Sequence, residues 1–311
     1  MKTTVYTLLA AIESTEDTDA APAAANAILT TGITPALYEG NRVSRDLDRA
    51  YFGAQDQINV NPHMGLQFGV EYAGAGSVDG VPGFDPLLRV CGLVPTVNAG
   101  TSVAYSLVSD NIQSLSAYFL RGTQLHKMTG CRGNLAIDLT AGQIPKFNFD
   151  NLLGSYYTPV STAAVVADYS AFTVPSAVTK DNTPTVTIDG FSACLQSLNM
   201  NLNNQVTRRN NPGCRKTIIG GRAAGGQIVV RAPDLATKNF FSALESHAGI
   251  THVPIQIVHG TVAGHILDLS MPTVQLTGIS ETDMDGELGY QLDYLAIPTD
   301  AGNDELVLTT R

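Results

Sequence analysis

The chain has 311 residues, 44% hydrophobic and only 15% charged, with a formal net charge of -10 at pH 7 and a pI near 4.9. That length allows one large or two ordinary domains with a real core, and the acidic balance excludes gripping nucleic acid through a basic surface. So few charges imply that partners cover part of the surface, because exposed charge keeps monomers apart; the excess of 12 Arg over 6 Lys suits such interfaces.

In chain order, "MKTTVYTLLAAIESTED" opens like a poor signal peptide, but its apolar stretch is short and runs into Glu13, Glu16 and Asp17. It predicts a strand followed by a polar arm, residues 13–32, expected to lie on a neighbouring subunit. "MGLQFGVEY" (64–72) predicts a strand and "FDPLLRVCG" (84–92) a short helix, with Asp85 as N-cap, Pro86 in the first turn and Gly92 as the stop. "SVAYSLV" and "SLSAYFL" predict two more strands. "NLAIDLTAGQIPKFNFD" (134–150) is a hairpin: Leu135, Ile137 and Leu139, then Phe147 and Phe149, alternate with polar residues, giving one buried and one wet face. Residues 158–184, with three prolines and many small residues, change texture and predict a linker.

The second half repeats the order of the first. "NRVSR" at 41–45 answers "NQVTR" at 204–208, and "GLQFGVE" from Gly65 answers "GQIVVR" from Gly226. The helix ending at Gly92 answers "DLATKNFFSALESHAG", with Phe240, Phe241 and Leu244 on one face and Gly249 as the stop. "FLRGT" answers "IVHGT", "LAIDL" answers "TVQL", and "FNFD" answers "YQLD". Six matches in one order predict a duplicated unit: 1–157, linker 158–184, and 185–311. The fold class is mainly β (α+β), with two tandem sandwich- or barrel-forming units, each with one packed helix.

No motif for chemistry is complete. "AGAGSVDG" puts its third glycine one place late for a dinucleotide loop, and "GCRKT" has Arg215 where a phosphate loop needs glycine. "ETDMDGELG" starts like a calcium loop, but Leu292 stands where the closing Glu belongs; an Asp-Gly hairpin turn explains it. Cys91, Cys131, Cys194 and Cys214 have no zinc spacing and read as free thiols. His259 and His265 flank the loop "GTVAG", a pair that could hold a metal but reads more simply as solvated side chains. No catalytic residue, metal ligand or cofactor is assigned, and no apolar run reaches membrane-spanning length.

"IESTEDTDAAPAAANAIL", "RDLDRAYFG", "LLRVCG", "LHKMTGCRGNLAIDLTAGQIPKFNF" and "GNDELVLTTR", in this order, resemble the major tail tube protein of long-tailed (siphovirus-type) bacteriophages. The resemblance implies a structural virion protein, assembled in the host cytoplasm, whose rings stack into a hollow tube. Neighbouring subunits' strands would close into one β-barrel, with DNA passing transiently and non-specifically down its lumen. Other copies of the chain, a tape measure protein and a tail terminator are the implied partners. The lumen would be lined by Asp138, Asn148 and Asp150 in one half and Glu287, Gln291 and Asp293 in the other; Lys146 and Arg132 break its acidic run. Arg45, Arg208, Glu13 and Asp17 are the expected contacts between subunits. A duplicated unit implies three chains per ring rather than six. A secreted or surface β-sandwich binding module is the alternative, and a hidden hydrolase a more distant one.

Overall fold

A computed structural model describes residues 5–245 and 247–311. The first half carries β1 (Thr7–Ile12), β2 (Ala27–Ile28), β3 (Thr31–Glu39), β4 (Arg42–Ser44), β5 (Gln57–Asn59), β6 (His63–Glu71), α1 (Asp85–Val90), β7 (Leu93–Asn98), β8 (Ser102–Leu107), β9 (Leu115–Arg121), β10 (Gln124–Thr140), β11 (Lys146–Tyr156) and β12 (Val160–Ser161). The second half carries β13 (Thr185–Ile188), β14 (Phe191–Ser192), β15 (Leu195–Asn201), β16 (Val206–Asn211), β17 (Cys214–Ile219), β18 (Gly225–Arg231), α2 (Phe241–Leu244), β19 (Val253–His259), β20 (Leu267–Met284), β21 (Glu287–Ala296) and β22 (Val307–Thr310). The molecule is mainly β, as its alternating segments predict, and its strands pair antiparallel throughout.

Eight strands form one continuous sheet in the order β3-β6-β11-β10-β15-β18-β21-β20. Strand alternation sets its two faces. On one face Phe68, Phe149 and Leu135 lie side by side, as do Leu139, Leu198, Ile228, Leu292 and Ile279. All but Ile279 are buried, and Ile279 packs against the same core.

β10 and β20 are long enough to serve two layers. Each has a register shift part-way, near Met128–Cys131 and Met271–Val274, of the kind that bends a strand. The first part of β10 pairs with β9 and β12, and β9 leads on to β1 and β2. The first part of β20 pairs with β19 and β22; β19 leads on to β13 and β14, and β22 to β8 and β7. One buried cluster joins the layers, with Leu8, Phe119, Tyr105 and Leu308 packed together with Phe147 and Phe149. Among the described residues no pairing leads back to its start, so they form an open, branched sheet and no closed barrel.

Several local expectations shift. The signal-like opening becomes β1 from Thr7, while Met1–Thr4 lie outside the described residues. Asp85 is the first residue of α1 rather than its cap; its carboxylate turns inward and accepts from Tyr105 Oη at 3.1 Å and Arg89 at 3.3 Å. Among the described residues of the sixteen-residue helical stretch predicted to end at Gly249, only Phe241–Leu244 is helical. Asn239 Oδ1 accepts from the amides of Phe241 and Ser242, and Glu245 returns to an extended conformation. Between β12 and β13 the chain is irregular, as its prolines predict, but it is tied down: Val178 is buried and exchanges backbone bonds with Gly142 and Gln143.

Candidate functional site

The other face of the eight-stranded sheet is mainly polar. Register places Glu71, Lys146, Asp138, Asn199, Gln227, Asp293 and Gly278 in one transverse row. The adjoining row runs Thr31, Gly69, Asn148, Ala136, Asn201, Gly225, Leu295 and Gln275. Residues directly opposite one another share a face. Asp150 lies opposite Asn134, Gln291 opposite Ser280, and Glu287 opposite Met284, all on this side. So the six sequence-predicted positions Asp138, Asn148, Asp150, Glu287, Gln291 and Asp293 sit on one face of one sheet. Glu287 is exposed and pairs with Arg231 at 3.7 Å; the other five are half-buried among polar neighbours. Sequence reading missed the middle of the rows, Asn199, Asn201 and Gln227. The signal was there in "LQSLNMNL", where the buried Leu198, Met200 and Leu202 alternate with Ser197, Asn199 and Asn201.

Lys146 lies on the polar face between Glu71 and Asp138. Arg132 does not extend along it. Its guanidinium donates to Glu16 at 2.6 Å, to Ile112 O at 2.8 Å and to Thr217 O, tying the arm and the β16–β17 hairpin to the sheet.

That hairpin forms a seam between the halves. Arg208 is buried; it donates to Ser155 Oγ at 2.6 Å and Thr217 Oγ1 at 3.1 Å. Thr217 in turn donates to Leu153 O. Beside them, Asn134 donates to Asn201 Oδ1 and accepts from the amide of Asn204, whose carboxamide donates to Cys91 O and Gly133 O. The acidic arm completes the seam from within the same chain. Glu13 is buried and accepts from Ser114, Ser116, the Gly130 amide and the Asp17 amide at 2.6 to 2.8 Å. Asp17 accepts from Thr129 and Ser155 at 2.5 Å and from Arg215 at 3.0 Å. The hairpin carries Arg208, Arg209, Arg215 and Lys216 and no acid, so an acid-rich arm is its natural complement. Of the four expected subunit contacts, Glu13, Asp17 and Arg208 thus bond within the chain. Arg45 is exposed, 4.0 Å from a still more open Asp56.

Burial raises the Asp17 pKa, but the Ser155 and Thr129 bonds and the Arg215 charge outweigh it, leaving the carboxyl below its ordinary value. A depressed folded-state pKa stabilises above the unfolded value, and that contribution is lost as pH falls through the folded one. The chain should therefore lose stability as pH falls from about 4. Asp17→Asn should lower stability at pH 7 and flatten the loss between about pH 4 and pH 2, read as urea midpoints at each pH. Equal acid slopes in the two proteins would remove Asp17 as the source.

The remaining polar clusters are structural in their contacts. His259 is buried between Ser176 Oγ at 3.2 Å and Thr183 Oγ1 at 3.0 Å, and burial lowers its pKa. His265 lies 3.4 Å from Thr173 Oγ1. Cys91 and Cys131 are buried, Cys194 and Cys214 exposed, and all four are free. Burial pushes the Cys91 thiol far up. Among the described residues no helix is long and apolar enough to cross a membrane.

A family model described as phage tail tube protein matches residues 6–307, while no curated protein matches the chain. The chain belongs to the phage tail tube family, structural proteins of the virion tail that assemble with their own kind.

Proposed function

We propose that three copies of this tail tube protein close into one ring, that rings stack into the hollow tube of a long siphovirus-type tail, and that the polar face lines the bore through which DNA passes. The observation that carries the reading is the eight-stranded sheet itself: apolar on one face, mainly polar on the other, and, among the described residues, unpaired at both edges, β3 and the last part of β20. Exposed sheet edges invite uncontrolled pairing, and closure abolishes them. Three chains of eight strands give twenty-four. At about 4.8 Å between strands the circumference is at least ~115 Å and the diameter at least ~37 Å. Inward side chains reduce that to a bore of roughly 25 Å, which strand tilt widens. A DNA duplex fits.

Duplication supports three chains rather than six. In the first half the order of pairing is β2-β1-β9-β10-β11-β6-β3; in the second it is β14-β13-β19-β20-β21-β18-β15. The β4–β5 hairpin lies between β3 and β6 in sequence, and the β16–β17 hairpin between β15 and β18. We take 1–157 and 185–311 as the two tube domains and 158–184 as the crossing between them. Arg45 and Arg208 then stand on equivalent hairpins. A covalent pair raises the effective concentration of one domain for the next, which favours closed rings.

The lining would not hold DNA. Glu71, Asp138, Asp150, Glu287 and Asp293 outnumber Lys146 and Arg231 on the polar face, so phosphates are repelled and no release of counterions rewards contact. During assembly in the host cytoplasm the same bore would enclose a tape measure protein, and a tail terminator would cover the last ring. Electron microscopy of the purified chain, with the mass of single rings, tests the reading. Tubes built from rings of three chains are expected; dispersed monomers would overturn it, and six chains per ring would overturn the duplication.

A further inference from the structure

β10 is flanked by four strands: β9, β12, β11 and β15. β20 matches three of them. Met128 opposite Ala117 and Cys131 opposite Leu115 on β10 correspond, across the same shift, to Met271 opposite Ile255 and Val274 opposite Val253 on β20. Gln124 opposite Ser161 corresponds to Leu267 opposite Thr310. Leu135 opposite Phe149 corresponds to Ile279 opposite Leu292. Among the described residues the fourth neighbour is missing: along 280–284 β20 pairs with β21 alone. The first-half strand that corresponds to β15 is β3, which among the described residues pairs with β6 alone. Thr34, Pro35 and Ala36 face Gln67, Leu66 and Gly65 there, as Asn199, Met200 and Asn201 face Gln227, Gly226 and Gly225.

We propose that β3 of one chain pairs antiparallel with residues 280–284 of a second copy, repeating between chains the β15–β10 ladder found within one. Transfer of that ladder sets the register. Ala136 opposite Asn201, Asp138 opposite Asn199 and Thr140 opposite Ser197 become Ser280 opposite Ala36, Thr282 opposite Thr34 and Met284 opposite Gly32. The proposal rests on the tube reading and specifies its contact.

The hairpins point the same way. β16–β17 lies over the end of the sheet: Asn210 donates to Val60 O, Asn61 to Arg208 O, and Thr217 to Leu153 O. The positions equivalent to Val60, Asn61 and Leu153 in the second half are Gly220, Gly221 and Leu295. They line an open cleft of about 510 Å³, and Leu295 is 43% exposed. The equivalent hairpin, β4–β5, meanwhile stands free, with Val43, Tyr51, Phe52 and Ile58 all more than half exposed. Apolar side chains without cover, beside an apolar cleft without an occupant, are the two parts of one interface. The second copy's hairpin is the occupant the chain itself demonstrates. Pro35 is the one departure. Its counterpart Met200 has the strand parity of Leu202, whose amide donates to Leu135 O of β10. Pro35 has no amide to give, so the interchain ladder has one bond fewer, and a lone β3 edge is a poor template for wrong partners.

Thr34 and Thr282 fall at a non-hydrogen-bonded pair, where antiparallel Cα atoms are only about 4.5 Å apart and a disulfide fits. In a Cys194→Ser, Cys214→Ser background, tubes of Thr34→Cys, Thr282→Cys should oxidise to covalent trimers as the end product. Thr34→Cys, Asp283→Cys, with side chains on opposite faces, should not. Tubes that form normally but do not link at Thr34 and Thr282, or link equally in both variants, would overturn this contact and leave the tube reading standing. A parent chain that makes no tubes would overturn the tube reading itself. Leu295→Arg, at an exposed site, should raise the concentration needed for tube growth at least tenfold; unchanged growth would overturn the hairpin seat.

Discussion

Replacing Phe147 with alanine should cost about 3–5 kcal/mol of folding stability, a large share of the roughly 5–15 kcal/mol that holds a domain. The ring is fully buried and meets Tyr72 and Phe84 edge-to-face, with centroids 5.8 and 5.1 Å away. Along the sheet it lies between Val70 and Ile137. It therefore joins β11 to α1 and to its neighbouring strands at one point, and the loop that follows β6 packs there too. Truncation removes the burial and leaves a cavity in a layer pinned on all sides. The next residue gives the contrast. Asn148 points to the polar face, and Asn148→Ala should change stability by no more than about 0.5 kcal/mol. Urea midpoints measure both. Similar losses for the two variants would mean that the faces of β11 are wrongly assigned, and with them every lining residue.

The faces were legible because period-two alternation in 134–150 is strong and both strands run in register. Phe147 and Phe149 inside, Asn148 and Asp150 outside, follow from the letters alone. The relation between distant strands was less legible, because bulges shift register without leaving a mark in composition. "LAIDL" and "TVQL" lie on β10 and β20, but the ladders set Leu135 against Ile279 rather than against Thr273–Leu276. Under the proposed duplication the ladders match Gly65 with Gly225, one place before Gly226. The seam was hidden for another reason. A buried carboxylate such as Glu13 looks in sequence like any solvated acid; only the convergence of Ser114, Ser116 and Gly130 on it, about a hundred residues away, makes it internal. Lone acids near an N-terminus are usually on the surface, and that expectation placed the arm on a neighbour. The helix before Gly249 failed on length: a short amphipathic pattern does not hold helix by itself, and the Asn239 turn and the extended Glu245 confine it to a single turn.

If the polar face lines a bore as proposed, reversing its charge should turn a channel that lets DNA slide into one that holds it. Asp138, Asp150 and Asp293 lie on β10, β11 and β21, on the shared polar face of one sheet, half-buried but with polar neighbours, so a lysine stem can lie along the sheet and carry its ammonium away from it. With the proposed three chains per ring, the triple variant Asp138→Lys, Asp150→Lys, Asp293→Lys places nine lysines in each ring. If six to ten phosphates are engaged, binding weakens by about 10³–10⁵ between roughly 50 and 200 mM salt. Variant tubes should thus retain duplex DNA at ~50 mM and release it by ~200 mM, while parent tubes retain it at neither. The matched Asp138→Asn, Asp150→Asn, Asp293→Asn tubes separate loss of repulsion from gain of attraction: without new cations they have nothing to exchange for counterions and should not retain DNA. Lysine tubes that assemble like the parent yet hold no DNA at low salt would show that this face does not line the channel.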